Sequence, residues 1–183
     1  MCKKILVVTA SPRRRGNTTL LAEALIEGAE EKGHEISLFD VNKYDVRGCR
    51  ACNGCWKSGR PCAESEDFNS FADMVEKVDV VVFASPVYWG TYPAPLKALV
   101  DKMYCFAVPW CEKDISGKKT LLLSCGDGSD ESAFNVINMV HEGLAGLLGW
   151  DMGESVEVFG MVAEGDINKT ELLQRARKVG RNL

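Results

Sequence analysis

The chain has 183 residues and a formal net charge of −4, long enough for one domain with a sizeable core and too short for two comfortable ones. The acidic balance argues against a dedicated nucleic-acid binder, whose electrostatic footprint would be basic. No apolar stretch approaches the ~20 residues that span a bilayer, and the first residues run straight into a strand pattern with no secretory leader, so no membrane partner and a cytoplasmic setting are expected.

Residues 3–9 are a continuous apolar run rich in Ile and Val, the pattern of a central parallel strand buried on both faces. A polar segment follows, Ser11-Pro12-Arg13-Arg14-Arg15-Gly16-Asn17-Thr18-Thr19, and then a helical pattern beginning near Leu20. Leu21, Ala24, Leu25 and Gly28 fall on one side of that helix, with Glu23, Glu27 and Glu30 largely opposite. Gly33 ends it, and residues 35–40 read as a second strand. Periodicity then fails over about 41–66, an insertion long enough to suggest function.

Residues 67–78 are helical, with Phe68, Phe71, Met74, Val75 and Val78 on one face. Residues 79–84 form the clearest buried strand. A helix marked by Leu96, Leu99, Val100 and Met103 follows, with Pro93 and Pro95 near its first turn. Residues 119–123 are a fourth strand, 131–148 a long helix, 155–162 a fifth strand and 170–179 a closing helix. Five strands alternating with five helical patterns predict one α/β domain over 1–183, a parallel sheet with helices on both faces. Ligands in such sheets bind beyond the carboxyl ends of the strands, where the strand order reverses.

The loop after the first strand has the chemistry of a phosphate site. The first N–H groups of a helix lack intrahelical partners, and the helix dipole favours an anion there. Ser11, Thr18 and Thr19 offer hydroxyls, Gly16 permits a tight curl, Asn17 tolerates unusual φ, and Arg13 can add a bidentate contact. There is no G-x-x-x-x-G-K-[ST] and no G-x-G-x-x-G after the first strand, which excludes the Walker A and dinucleotide fingerprints. The loop after the third strand, Ser85-Pro86-Val87-Tyr88-Trp89-Gly90, sets aromatic surface beside backbone N–H groups, as a flat heteroaromatic ring needs. The same residues could equally cover the core or an oligomer interface.

Eight cysteines in a reducing compartment need a reason other than disulfides. Four of them, Cys49, Cys52, Cys55 and Cys62, crowd the 41–66 loop, while Cys2, Cys105, Cys111 and Cys125 are scattered. The compact triplet plus a fourth thiol suits a cubane iron–sulfur cluster better than a zinc ion, which usually shows two separated pairs. Free or redox-active thiols remain an alternative. Arg47, Arg50, Lys57 and Arg60 surround the cysteines and would offset thiolate charge.

Ser11-Pro12-Arg13-x-x-Gly16-Asn17-Thr18 and Ser85-Pro86-Val87-Tyr88-Trp89-Gly90, the latter followed by Pro-x-x-Leu-Lys, together resemble the NADPH-dependent FMN reductase and iron-sulfur flavoprotein family. The resemblance covers nearly the whole chain. It implies a flavodoxin-like fold with strand order 2-1-3-4-5 and bound FMN. It assigns Ser11, Arg13, Gly16, Asn17, Thr18 and Thr19 to the phosphate and Ser85 to Gly90 to the isoalloxazine edge. Ser124 and Gly126 fall in a third flavin-side loop, which Asp127, Asp130 and Glu131 make unusually acidic. It also implies an NAD(P)H-dependent oxidoreductase, an electron donor or acceptor as partner, one [4Fe-4S] cluster on Cys49, Cys52, Cys55 and Cys62, and a homodimer or homotetramer. Tyr92, Trp56 and Trp110 are interface candidates on aromatic enrichment. Two other classes stay open: an FMN electron carrier without nicotinamide activity, and a zinc-binding interaction module. No general acid or base is expected, and packing or surface roles are expected for His34 and His141.

Overall fold

A computed structural model describes residues 2–183. Strand β1 (Lys4–Thr9) is apolar on both faces and sits inside the sheet, between β2 (Glu35–Asp40) and β3 (Val80–Pro86). Strand β4 (Lys119–Cys125) lies on the far side of β3. Every strand pairing is parallel, and with β5 (Asp151–Met152) on the β4 edge the order β2-β1-β3-β4-β5 is the expected one.

Alternate residues of the central strands feed two cores. Leu6, Val8, Val81, Phe83 and Leu122 face helices α2 (Glu66–Glu76), α3 (Ala94–Lys102) and α4 (Asn135–Leu148). Ile5, Val7, Val82, Leu121 and Leu123 face α1 (Asn17–Glu30) and α5 (Leu172–Arg181). Helices α1 and α5 meet at backbone contact: a Cβ on Gly28 would stand 2.0 Å from the Arg177 carbonyl oxygen, and one on Gly180 would stand 2.0 Å from that of Leu25.

The fifth strand differs from expectation. It is two short pieces on the β4 edge, β5 (Asp151–Met152) and β6 (Val156–Val158), rather than one run over 155–162. Between them Ser155 Oγ accepts the Leu122 N–H at 3.1 Å, so a side chain replaces a missing ladder bond. After β6 the chain leaves β4 and binds the next loop: Gly160 N–H donates to the Gly128 carbonyl and Met161 N–H to that of Gly126. The residues expected to end the strand thus wall a cavity. No helix is long and apolar enough to cross a membrane, among the described residues.

Residues 44–65 contain turns but no helix or strand. This is the cysteine loop. Ser65 closes it by capping α2, its hydroxyl accepting the Phe68 N–H.

Candidate functional site

Three βα loops and the segment after β6 meet beyond the carboxyl ends of the strands, around a cavity of about 390 Å³. The β1–α1 loop contributes Ser11, Pro12, Arg13, Gly16, Asn17 and Thr18, and the β3–α3 loop contributes Pro86, Val87, Tyr88 and Trp89. Cys125, Gly126 and Asp127 come from the end of β4, and Met161 and Val162 from beyond β6. The lining is part polar, at the helix terminus, and part apolar, at Val87, Tyr88, Trp89 and Met161.

The β1–α1 loop is organised around one carbonyl. The Arg13 oxygen accepts from the Gly16 N–H at 3.1 Å, the Ser11 hydroxyl at 3.2 Å and the Thr19 hydroxyl at 3.1 Å. Gly16 is the N-cap of α1 and no side chain caps that helix, which leaves its first-turn N–H groups for another acceptor. A Cβ on Gly16 would lie 2.8 Å from Ser11 Oγ and 3.0 Å from the Arg13 Cβ. Glycine is required there by close approach.

Two residues expected to touch an anion have structural duties instead. The Asn17 amide donates to the Ala163 carbonyl at 2.9 Å, and its oxygen accepts the Ile167 N–H at 3.2 Å. It fastens α1 to the segment after β6. Thr19 turns its hydroxyl to the loop's own backbone and lines a groove on the β2 side rather than the main cavity.

The β3–α3 loop is a tight reversal. Tyr88 and Thr91 exchange N–H and carbonyl bonds at 2.9 and 3.1 Å, with Trp89 at φ 50° and Gly90 at φ 77° between them. Two successive left-handed residues define a type I′ turn, natural for Gly and strained for Trp. Trp89 is fully exposed at its tip, beside the cavity mouth. Gly90 borders an adjoining cavity with Val87, Gly126 and Phe134.

Ser85 and Ser124 do not line the cavity. They are register partners on β3 and β4 and wholly buried. Ser85 Oγ donates to the Pro86 carbonyl at 2.9 Å. Ser124 Oγ has no partner, the sole buried side-chain polar atom so left among the described residues. Both strands run two residues farther than the apolar pattern suggests, to Pro86 and Cys125, which carries these serines into the sheet.

Pro12, Cys125, Met161 and Val162 escaped the sequence reading as lining residues. Burial pushes the Cys125 thiol up to about 12, against a lowering contribution from the Thr18 hydroxyl, so it is protonated at neutral pH. Only its place at the end of an apolar strand could have marked it.

A second cavity, also about 390 Å³, is lined by all four loop cysteines, Cys49, Cys52, Cys55 and Cys62. The backbone around it is left-handed at Ala51, Asn53 and Trp56 as well as at Gly59. Three non-glycine residues in that region make a loop coiled inward at a cost in strain. Trp56 and Trp110 brace it, their indole N–H groups donating to the Cys105 and Cys55 carbonyls, each at 2.8 Å. Asn69 clamps Cys62 from α2, accepting its N–H at 2.7 Å and donating to its carbonyl at 2.9 Å. Burial, and then the neighbouring sulfurs of Cys49, Cys62 and Cys52, push the Cys55 thiol up.

Among the described residues no three Cys, His, Asp or Glu side chains converge tightly enough to hold one metal ion. The four thiols line one cavity. A single zinc ion would need sulfurs about 2.3 Å from one centre. Of the arginines expected to balance thiolate charge, Arg47 pairs with Asp45 and Arg60 with Glu66 away from the cavity, while Arg50 lines it and pairs there with Glu64. The buried cation at this cavity is Lys102, at the end of α3. Tyr92, expected at an interface, is buried and bonded to His141.

A doubly wound parallel sheet, with an uncapped helix N-terminus and an aromatic turn converging at the switch point beside β1, defines the flavodoxin-like class. Within that class the chain belongs to the NADPH-dependent FMN reductase family, which it matches over residues 3–160. It is 28% identical over 165 residues to an iron-sulfur flavoprotein of Methanosarcina thermophila, spanning 89% of this chain and 78% of that protein. An iron-sulfur flavoprotein of Archaeoglobus fulgidus is 26% identical over 174 residues, 93% of this chain and 76% of the relative. Another from Archaeoglobus fulgidus is 28% identical over 99 residues, 54% of this chain, so that the chain spans about half of its length (48%). Among solved structures, an NAD(P)H:quinone oxidoreductase from Methanothermobacter marburgensis superposes with a TM-score of 0.81 at 23% identity, over 100% of this chain and 96% of that one. At that identity the likeness shows the fold. The family's chemistry is FMN-dependent oxidoreduction with a reduced nicotinamide as donor.

Proposed function

We propose that this chain is an NAD(P)H-dependent FMN oxidoreductase, one domain carrying a cysteine loop as an inserted second redox site. The convergence of the α1 N-terminus and the Tyr88–Thr91 turn on one cavity is the observation that carries this. The residues fit FMN on two counts. The Gly16 cradle holds Ser11 and Arg13 at a helix terminus with no side-chain cap. Val87, Tyr88 and Trp89 supply the apolar wall that a tricyclic ring requires, and Gly126 allows Val87 to approach within ordinary contact.

In this reading Ser11, Arg13 and Thr18, with the first N–H groups of α1, hold the phosphate. Pro86 to Gly90 and Gly126 orient the ring. FMN supplies the capacity to accept electrons in pairs and release them singly. The protein's own work is to bind, orient and exclude water, and no side chain in the cavity is assigned a proton-transfer role.

Four thiols around one cavity, on a loop coiled inward, are the donor set of an iron–sulfur cluster, and relatives named iron-sulfur flavoproteins support this. Cys49, Cys52, Cys55 and Cys62 would hold it. Helix α3 joins the two sites: it begins just after the Tyr88–Thr91 turn and ends at Lys102 in the cysteine cavity, roughly 14 Å of helix. The partners in this reading are an electron donor and acceptor, and a second copy of the chain. All eight cysteines are unbridged, which suits a reducing cytoplasm.

The test is anaerobic purification followed by an absorption spectrum, identification of the flavin released on denaturation, and assays of iron and acid-labile sulfide. NAD(P)H oxidation with a quinone or dye acceptor should accompany bound FMN. A protein that retains no FMN after reconstitution overturns the reading. Flavin without iron removes the second site alone.

A further inference from the structure

Lys102 is 7% exposed, the sole lysine among the buried residues. Its ammonium donates to the Cys62 sulfur at 3.5 Å. No carboxylate pairs with it among the described residues. Two carboxylates line the same cavity, Glu64 and Asp101, and Glu64 pairs with Arg50; in the adjoining cavity Glu66 pairs with Arg60 and Asp67 accepts the Asp45 N–H. Its sequence neighbour Asp101 pairs with Lys97.

A buried ammonium whose one hydrogen-bond partner is a sulfur, with both nearby carboxylates paired to other cations, is an electrostatic imbalance. Desolvating such a charge is costly unless an anion shares the site. The fold fixes this placement. Lys102 sits in the last turn of α3, where the helix dipole favours a cation, and Asn69 holds the Cys62 backbone on both sides. Donor and acceptor are thus each pinned to a separate helix, α3 and α2.

We infer that Lys102 is the charge-compensating residue of the cysteine cavity, donating a hydrogen bond to the Cys62 sulfur and raising the reduction potential of an anionic thiolate-ligated group held there. The inference rests on the reading of that cavity as a cluster site. The physical reason is direct. Reduction adds negative charge beside the ammonium, which stabilises the reduced form over the oxidised one. Hydrogen bonds to ligand sulfurs and nearby net charge are the ordinary levers on such potentials. The exposed, carboxylate-paired arginines of the loop cannot match this effect, because solvent screens them.

The experiment compares wild type, Lys102→Met and Lys102→Arg, purified without oxygen, by spectroelectrochemical titration with iron and sulfide assayed on each sample. Met keeps the length and apolar stem and removes the charge. The expected result is an unchanged cluster content in all three, a more negative potential in Lys102→Met, and recovery toward the wild-type value in Lys102→Arg. Loss of the cluster in Lys102→Met with retention in Lys102→Arg supports the same charge role. An intact cluster at an unshifted potential in Lys102→Met overturns the inference while leaving the cluster reading standing. Wild-type protein without iron and sulfide overturns the cluster reading itself, and the inference with it.

Discussion

The Tyr92 phenol and the His141 ring share a buried hydrogen bond, Oη to Nδ1 at 2.7 Å, and it ties the strap after the Tyr88–Thr91 turn to helix α4. The other ring nitrogen meets the Thr120 hydroxyl on β4 at 3.2 Å, and the Phe83 ring meets the imidazole edge-on. A neutral imidazole has one donor and one acceptor, so it donates to one hydroxyl and accepts from the other, and burial disfavours its charged form. None of these residues lines the main cavity, and Tyr92 follows directly on the Tyr88–Thr91 turn that does border it.

Stability should therefore fall in mild acid. Burial holds the His141 pKa near about 4, below its ordinary value of 6.5. Below 6.5 the unfolded chain binds a proton that the folded protein refuses, so stability is lost as pH falls from the ordinary value toward 4. Denaturant unfolding at about pH 5 should give roughly 2 kcal/mol less than at pH 8 from this group. His141→Gln should flatten that dependence. A slope unchanged by the substitution would assign the acid sensitivity elsewhere.

Tyr92→Phe should destabilise the fold by about 1–3 kcal/mol, since it leaves a ring nitrogen buried without a partner. If the network positions the turn, bound FMN should also become more accessible to a fluorescence quencher. A loss of stability with no change at the flavin would confine Tyr92 to packing.

Gly16→Ala tests the phosphate loop. The new Cβ would crowd Ser11 Oγ and the Arg13 side chain, so the loop must open around the Arg13 carbonyl. FMN affinity should drop at least tenfold, about 1.4 kcal/mol, by fluorescence titration. Equal FMN affinity in the variant would separate this loop from the phosphate.

The α1–α5 contact gives a control remote from both sites. Gly28→Ala places a methyl against the Arg177 backbone, which a rigid helix pair cannot accommodate without moving apart. Overpacking of this kind costs about 1–3 kcal/mol or more. Thermal unfolding should show the loss, and the iron content of the folded fraction should not change.

How legible each part was follows from its physics. The strands β1, β3 and β4 bury both faces, so unbroken apolar runs announce them. The edge strand had no such signal: Ser155 substitutes for a ladder bond, and residues 159–162 leave the sheet to wall the cavity. Loop chemistry located the cavity, since Ser11, Gly16 and Tyr88 carry local signatures. It could not say which polar groups were already engaged. Asn17 looks like an anion ligand in sequence and fastens two segments in space. Gly28 read as one more residue on a helix face, and its packing against Arg177, on a helix nearly 150 positions later, is a tertiary fact. Lys102 was invisible for the same reason, because only the fold carries the end of α3 to Cys62.

Asn69 extends that logic to the cysteine loop. Its amide bonds both the N–H and the carbonyl of Cys62. Asn69→Ala removes both bonds and leaves two backbone groups of a half-buried segment to find other partners, a loss of about 1–3 kcal/mol. The larger effect should fall on ligand placement, since Cys62 is separated from Cys55 by a turn with no ladder to hold it. Iron and sulfide per chain should fall well below wild type after anaerobic reconstitution, while bound FMN persists at the far end of α3. Asn69→Asp, which keeps an acceptor for the Cys62 N–H but adds a charge near the sulfurs, should recover the fold better than the metal. Full iron content in Asn69→Ala would show that the three closely spaced cysteines, with their left-handed backbone, set the site without help from α2.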